Sequence, residues 1–330
     1  MGISTEDPGL HPMADHSEIH TSVMLERTVE LLAPALQREG AILVDGTLGM
    51  GGHAEAFLTR FPGIRLVGID RDTDALAVAR ERLAPFGDRV RFAHAVNDQI
   101  TSVLDGFGIT RVSGILFDLG VSSLQLDRVE RGFSYSKDAP LDMRMDTTSE
   151  RTAALILATY SEFELRRIFY EYGDEKLAPR YASRIVQRRE EQPLETSAQL
   201  VELIIAATPA AAQRAGHPAK RVFQALRIEV NQELSVIEKA VPDAIDALEV
   251  HGRMVVLSFQ SLEDRIVKRV LQKRSTSTAP RGLPVELPEH KPELKLLVRG
   301  AEVASDEERA ANPRATSVRL RAVERVRDVA

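Results

Sequence analysis

The stretch Asp45-Gly46-Thr47-Leu48-Gly49-Met50-Gly51-Gly52-His53-Ala54 follows the apolar run 41–44, and a second apolar run, 65–69, ends at Asp70. The first run predicts a strand, and the glycines after it let the backbone approach a ligand without Cβ clashes before a helix begins. A carboxylate at Asp70, at the end of the next strand, can accept hydrogen bonds from both hydroxyls of a ribose. This spacing predicts a site for a nucleotide-type cofactor without identifying the cofactor.

Two other interpretations of the glycine-rich stretch remain open. Gly49, Gly51 and Ala54 can be aligned with the dinucleotide fingerprint, in which alanine can replace the third glycine, so a nicotinamide-dependent dehydrogenase is one alternative. The stretch can also be a turn that only joins a strand to a helix. The acid at Asp70, about 20 residues after the glycines, favours a ligand site over a plain turn.

Composition indicates a globular protein without cysteine chemistry. The chain has 330 residues, of which 43% are hydrophobic, and its first 15 residues contain no apolar block of the signal-peptide type. No apolar run approaches the roughly 20 residues that span a bilayer, so we expect a cytoplasmic protein. The absence of cysteine excludes disulfides, thiolate metal sites and cysteine nucleophiles, and no histidine pair has the spacing of a zinc helix, so we expect no metal.

The charge of the chain is acidic overall but locally basic. The formal net charge is -6, which does not favour binding a polyanion, although net charge does not reveal a local patch. Solvated helix faces and nucleic-acid contacts both explain basic segments. Three such segments occur: Arg180, Arg184, Arg188 and Arg189; Lys220, Arg221 and Arg227; and Arg265, Lys268, Arg269, Lys273 and Arg274.

The order of elements predicts a parallel sheet covered by helices. Helices are predicted at 23–36 and 74–83, and strands at 41–44, 66–69, 90–93 and 114–117, the last ending in Asp118. The βαβαβ alternation is typical of a doubly wound α/β fold, in which ligands bind at the carboxyl ends of the strands.

The chain then leaves the sheet and returns to it. Residues 152–207 are almost wholly helical, with Ser161 and Glu164 forming a capping box and Thr196 capping a later helix. The α/β pattern resumes with helices at 220–239 and 242–248, a turn at 251–252, a strand at 254–259, a helix from a Ser261 cap to 273, and an antiparallel hairpin of 294–298 with 317–323. We therefore divide the chain into a disordered tail (1–16), the α/β domain (17–135 and 216–330) and an inserted all-helical domain for substrate recognition (136–215).

From residue 20 onward the sequence resembles the bacterial H-type small-subunit ribosomal RNA methyltransferases, which methylate N4 of a cytosine. The motifs that carry the resemblance are His20–Met24, Asp45–His53, Gly68–Asp72, Phe117–Ser123, Arg131–Ser134, Pro140–Met145 and Ser261–Arg265. Together they are far more specific than the glycine-rich stretch alone. The resemblance implies a Rossmann-like class I methyltransferase fold and S-adenosylmethionine as the cofactor.

The resemblance also implies which residues bind that cofactor. It assigns Gly51, Gly52 and His53 to the methionine and ribose side, and Asp70 to the ribose hydroxyls. Because His53 follows two glycines at a helix start, we expect it to be a cofactor-loop residue rather than a general base. Two further cofactor contacts carry over to Asp118 and Gln125.

The chain departs from the family pattern at two positions. Asn97 stands where the family has an aromatic cofactor contact, which removes an aromatic face over the adenine. Gln260 stands where the family usually has histidine, so this position can position a substrate but cannot transfer a proton.

Asp118 is the candidate catalytic residue. Methylation of carbon 5 of a pyrimidine usually requires a thiolate, and the chain has none, whereas an exocyclic amine can attack a sulfonium methyl directly. Either Asp118 or a backbone carbonyl of 119–121 can accept an N4 proton and stabilise the positive charge that develops on nitrogen. The alternative is that Asp118 only caps the strand or binds cofactor. For Ser122 and Ser123 the sequence leaves two roles open: a contact with the base, or the cap of a turn.

The segments 131–133 and 142–145 join the sheet to the helical insertion. They either grip RNA or form a packed connection in which Arg144 pairs with an acid. The resemblance implies 16S ribosomal RNA of the small subunit as the partner and no membrane, and it leaves a homodimer open. The alternatives from other classes are the dehydrogenase and a non-catalytic factor for RNA binding or ribosome assembly.

Overall fold

The computed structural model describes residues 22–213, 216–280 and 287–328, so the tail predicted for 1–16 lies outside the described residues. Seven strands form one sheet: β1 (Ile42–Asp45), β2 (Arg65–Asp70), β3 (Val90–His94), β4 (Val112–Asp118), β5 (Leu248–Ser258), β6 (Leu294–Leu296) and β7 (Arg319–Arg325). Their order is β3-β2-β1-β4-β5-β7-β6, with β1 to β5 parallel. The last two strands form the predicted antiparallel pair, with β7 also antiparallel to β5.

The helices cover both faces of this sheet, and a group of them stands between β4 and β5. They are α1 (Leu25–Leu36), α2 (Gly52–Arg60), α3 (Thr73–Leu83), α4 (Ile100–Gly106), α5 (Ser123–Asp127), α6 (Ala153–Thr159), α7 (Glu162–Glu171), α8 (Ala178–Glu191), α9 (Ser197–Ala207), α10 (Ala210–Gln213), α11 (Ala219–Asn231), α12 (Glu233–Ala247), α13 (Ser261–Arg274) and α14 (Asp306–Ala311). No helix within the described ranges is long and apolar enough to cross a membrane.

Buried side chains form three hydrophobic clusters. One lies on the face covered by α1, α2 and α3, and the second on the face covered by α4, α12 and α13. Burial on both faces explains why the parallel strands are nearly continuous apolar runs. The doubly wound fold predicted from the sequence is confirmed, and the strand order reverses between β1 and β4, where such folds bind ligands.

The third cluster belongs to the helices between β4 and β5. It contains Phe169 and Tyr181, both fully buried, and it extends into α11 as far as Val230. The cluster therefore reaches beyond residue 215, where the sequence places the end of the insertion. The capping boxes of Ser161 with Glu164 and of Thr196 with Gln199 begin α7 and α9, as predicted.

Three predicted boundaries are wrong. The helix predicted at 220–239 is broken at Gln232, which has a left-handed backbone (φ +52°), and the second helix runs without interruption through Pro242. The turn predicted at 251–252 is a bulge inside β5, where the pairing of β4 with β5 shifts register. The N-cap of α13 is Gln260 rather than Ser261.

Candidate active site

Three carboxylates meet where the strand order reverses. Asp45, Asp70 and Asp118 end β1, β2 and β4, and β1 pairs with both of the other strands. Parallel strands present their carboxyl ends at the same edge, so the three acids share the crevice that doubly wound folds use for ligands. No lysine or arginine in the described part of the chain forms an ion pair with any of them.

Asp70 organises the glycine-rich loop. Its Oδ2 accepts a hydrogen bond from the backbone N–H of Gly49 at 2.7 Å, and its Oδ1 accepts one from Asp72 N–H at 2.8 Å. The loop then enters α2 through Gly51, whose left-handed backbone (φ +82°) suits glycine. Each oxygen of Asp70 retains a second acceptor position, so the carboxylate can hold the loop and still bind hydroxyls.

Asp118 is a half-buried acid that resists ionisation. Burial, together with the nearby negative charges of Asp45 and Glu263, raises its pKa to about 8. Burial likewise raises the pKa of Asp45 to about 7, against the opposing hydrogen bond from Thr47 N–H. Near neutral pH this edge therefore binds protons readily, because nearby negative charge and lost solvation both penalise the carboxylates.

His53 lies against Asp118 as a neutral ring. Its Nε2 is 3.1 Å from the carbonyl oxygen of Val23, which can only accept, so Nε2 carries the proton. Its Nδ1 is 3.6 Å from Oδ2 of Asp118. Burial lowers the pKa of His53 to about 4, so His53 brings no positive charge to Asp118 at neutral pH.

Gln125 is fixed by protein groups. Its Oε1 accepts a hydrogen bond from Ser122 N–H at 3.0 Å, and its Nε2 donates to Oδ2 of Asp72 at 2.9 Å. Arg131 donates to the same oxygen, also at 2.9 Å, so Gln125 and Arg131 together surround the fully buried Asp72. Because the N–H of Asp72 donates to Asp70, this network adjoins the acid that organises the glycine-rich loop. Sequence reasoning missed it because nothing local connects residues 53 to 59 positions apart.

The connecting segments are packed by their own ion pairs. Arg131 also donates to the carbonyl oxygens of Arg144 and Met145, both at 3.0 Å. Arg144 forms a bidentate pair with Asp142, with N···O distances of 2.8 and 2.7 Å. The structure therefore shows the pair that the packed-connection interpretation predicts. Both guanidinium groups are engaged within the protein.

Asn97 lies three residues beyond the end of β3, beside the end of β2. The pairing of Asp70 with His94 and a 3.0 Å hydrogen bond from Ala95 N–H to Asp70 O bring this turn to the shared edge. Asn97 is half-buried there. The structure thus brings Gly51, Gly52, His53, Asp70, Asn97 and Asp118 to one edge of the sheet.

Glu263 is a site residue that sequence reasoning missed. Burial raises its pKa to about 7, and its Oε2 accepts hydrogen bonds from Phe259 N–H at 2.9 Å and Gln260 N–H at 3.0 Å. It approaches Asp118 only because α13 packs behind the end of β5. The motif around Glu263 is visible in the sequence, but its proximity to Asp118 depends on how α13 packs against the sheet.

The chain matches a protein-family model and several named relatives over almost its whole length. The model of the MraW methylase family matches residues 17–326. Among the most similar relatives are proteins named ribosomal RNA small subunit methyltransferase H from Clavibacter sepedonicus (74% identical over 310 residues, 94% of this chain and 98% of that protein) and Clavibacter michiganensis (73%, with the same coverage). A relative of the same name from Leifsonia xyli is 69% identical over 312 residues, covering 94% of this chain and 96% of that protein.

Proposed function

Because the chain belongs to the MraW methylase family, we infer that it transfers a methyl group from S-adenosylmethionine to 16S ribosomal RNA. The names of the relatives support the reaction and the class of substrate. We further propose that the acceptor is N4 of a cytosine in the decoding region. The dehydrogenase alternative is wrong for this chain. The family model matches residues 17–326, whereas the dehydrogenase interpretation rested on a single glycine fingerprint.

The residues at the edge where the strand order reverses fit this cofactor, and their negative charge is the observation that supports the proposal. S-adenosylmethionine is a cation, and Asp45, Asp70 and Asp118 lie together with no lysine or arginine at ion-pair distance among the described residues, the charge of Arg71 acting on Asp70 only from farther away. A positive ligand would stabilise carboxylates that burial now pushes toward protonation. Asp70 would hold the ribose hydroxyls, and residues 51–53 the methionine end.

The remaining cofactor contacts are proposed on the same basis. Asn97 stands where the adenine would lie and offers an amide in place of a ring, so stacking is replaced by hydrogen bonding. Gln125 would act chiefly by fixing the turn after Asp118, because its amide already bonds Ser122 and Asp72.

Asp118 would serve as the proton acceptor. S-adenosylmethionine supplies an electrophilic methyl group when bound. Asp118 can accept a hydrogen bond from the N4 amine, orient its lone pair and take the proton that the amine loses as positive charge develops on nitrogen. A carboxyl with a pKa of about 8 is matched to that task near neutral pH. Neutral His53 leaves the carboxylate free to bind the proton.

We propose the assembled small ribosomal subunit as the substrate and residues 136–215 as a domain that contacts it. The net charge of -6 favours selective contacts with a structured particle over general attraction to RNA. RNA bases that undergo chemistry are presented unstacked, so the target must be reachable at the sheet edge. A homodimer stays a prediction.

The test is to incubate the chain with methyl-labelled S-adenosylmethionine and unmodified small subunits, digest the RNA and identify the labelled nucleoside. We expect label in N4-methylcytidine. Label in another nucleoside would keep the methyltransferase and discard the acceptor. Tight subunit binding without label would favour the assembly-factor alternative, and there an Asp118→Asn variant should bind subunits as the natural chain does.

A further inference from the structure

All three basic segments contain exposed cations without a carboxylate partner in the described part of the chain, such as Arg180 on α8 and Lys220 on α11, so α13 is distinguished by its position beside the active-site edge. On α8, Arg189 donates to the carbonyl oxygens of Leu157 and Tyr160, at 2.9 and 2.6 Å. On α11, Arg227 forms a bidentate pair with Glu233, at 2.8 and 2.9 Å. These arginines are structural, because their donors are committed to protein acceptors.

On α13, two of the five basic residues are also neutralised. Arg269 pairs with Glu238 at 2.9 Å, and Arg274 pairs with Asp246 at 2.6 Å. The other three have no carboxylate within ion-pair distance in the described part of the chain. These three, Arg265, Lys268 and Lys273, are exposed and form what we term the α13 cation row.

The row occupies one face of the helix. Residues 265, 268, 269, 272, 273 and 276 follow helical spacing and are all exposed, whereas Val267 and Leu271 point inward and are buried. Together with the polar residues up to Thr278, the exposed side chains line a shallow hollow of about 590 Å³. Arg265 and Lys273 are separated by about 12 Å along the helix axis, at about 1.5 Å per residue.

Helix stability does not explain the row. Lys273 lies in the last turn, where a cation interacts favourably with the helix dipole, but Arg265 and Lys268 do not. Arg265 is spaced i,i+3 from Lys268 and i,i+4 from Arg269, spacings at which like charges repel each other. A row of exposed cations that the helix does not need for its own stability is available to an external anionic partner.

The row begins beside the active site. Asp118 pairs with Leu257 of β5, and α13 begins at Ser261, four residues later, so the start of the helix lies at the same edge as Asp118. A nucleic-acid strand whose target base lies at Asp118 would therefore continue past the start of α13. Its phosphates would meet guanidinium and ammonium groups, and the hydroxyl of Ser277 extends the donor surface.

From this arrangement we propose that the outer face of α13 binds the phosphodiester backbone of the RNA substrate next to the methylated nucleotide, through Arg265, Lys268 and Lys273. The proposal rests on the proposed function for the identity of the RNA. It adds a docking surface outside the cofactor site that contributes to affinity and salt dependence rather than to the chemical step.

The test compares the full chain with a variant carrying Arg265→Gln, Lys268→Gln and Lys273→Gln. Binding to unmodified small subunits is measured without cofactor at several potassium chloride concentrations. We expect the slope of log affinity against log salt to become shallower by about 2 to 3, and affinity at moderate salt to fall about tenfold or more. In methylation assays KM for subunits should rise, with kcat at saturating subunits retained.

Two controls separate the row from net charge and from folding. A variant with Arg65→Gln, Lys295→Gln and Arg299→Gln loses the same charge from exposed residues of the α/β domain outside α13 and should keep the natural slope. A variant with Arg265→Lys, Lys268→Arg and Lys273→Arg keeps the charges and should bind normally. Thermal melting should show the glutamine variant of the row to be at least as stable as the natural chain, since like-charge repulsion is removed.

The outcomes distinguish this proposal from the proposed function. Equal slopes and affinities for the natural chain and the row variant would overturn the docking surface, whether or not methyl is transferred. Loss of slope on removing the row would support it even if the labelled nucleoside were not N4-methylcytidine. An equal loss in the scattered-charge control would also overturn it, because net charge alone would then explain the effect.

Discussion

Asp118 combines partial exposure with a raised pKa, and its role can be separated from that of Asp70. We expect Asp118→Asn to lower the single-turnover methylation rate at saturating cofactor by about 10²-fold to 10⁴-fold, because the amide cannot accept the amine proton. Asp70→Asn is the matched control. It should weaken cofactor binding, measured by calorimetry, while most of the rate returns at saturation. A natural single-turnover rate with unchanged cofactor affinity in Asp118→Asn would show that this acid is not the proton acceptor.

The pKa of Asp118 also predicts how stability depends on pH. The folded cofactor-free chain holds a proton on Asp118 up to about pH 8 and on Asp45 up to about pH 7, whereas both ionise near pH 3.8 when unfolded. The stability they contribute is present below the unfolded pKa and is lost as the pH rises through the folded values. His53 acts oppositely and at lower pH, since its contribution is lost as the pH falls from 6.5 to about 4.

We therefore expect Tm of the cofactor-free chain to fall from pH 6.5 to about pH 9, and to fall less in Asp118→Asn. Thermal melting at constant ionic strength measures this difference. Parallel curves for the two proteins would mean that Asp118 ionises in the folded state as easily as in water.

At the residue scale, sequence could predict the acids that end strands and little else. Asp70 and Asp118 each follow an apolar run, and a parallel sheet brings such positions to one edge. The bonds that fix Gln125 depend on contacts with Asp72 and Arg131, which are distant in sequence. The electrostatic partner Glu263 depends in the same way on how α13 packs.

At the scale of elements, the errors fall where backbone geometry overrides composition. Gln232 breaks a helix in a left-handed conformation that usually selects glycine or asparagine, so no residue type marked the break. Pro242 marked a break that does not occur. The carbonyl it would leave without a partner belongs to Glu238, an exposed residue, so water can serve that acceptor.

A second prediction concerns Asn231, the last residue of α11. The buried Asn231 donates to the carbonyl oxygens of Met143 and Arg227, at 2.7 and 2.9 Å, and accepts from Met145 N–H at 2.7 Å. Asn231→Ala should lower the free energy of unfolding by about 2 to 4 kcal/mol, because buried backbone groups lose their partners.

Gln224→Ala provides the matched comparison for Asn231 on the same helix. Its side chain makes one hydrogen bond, to Tyr172 O at 3.0 Å, so its removal should cost less than about 1 kcal/mol. Urea denaturation of both variants measures the difference. Equal losses would mean that Asn231 does not fasten the connecting segment to α11.

At the scale of the whole molecule, the order of the α/β and helical parts could be predicted from the sequence, because strands and helices have different hydrophobic periodicities. Apolar strands alternate with amphipathic helices up to Asp118, then a helix-only stretch follows, and the alternation resumes. The sequence could not show that α11 packs with the helical group while leading back to the sheet, since its apolar residues suit either neighbour.

The separate hydrophobic cluster of the helices predicts that they open independently of the sheet. Native-state hydrogen exchange should give the amides of α7 and α8 a lower opening free energy and a smaller dependence on denaturant than those of β1 and β4, because only the helical cluster is exposed in that opening. The amides of α11 decide where this unit ends. If the amides of α11 show the same opening free energy as those of α7 and α8, the helical unit extends to Val230. If they show the opening free energy of the strands, the unit ends at residue 215. A single free energy for all these amides would mean that the helices and the sheet unfold as one unit.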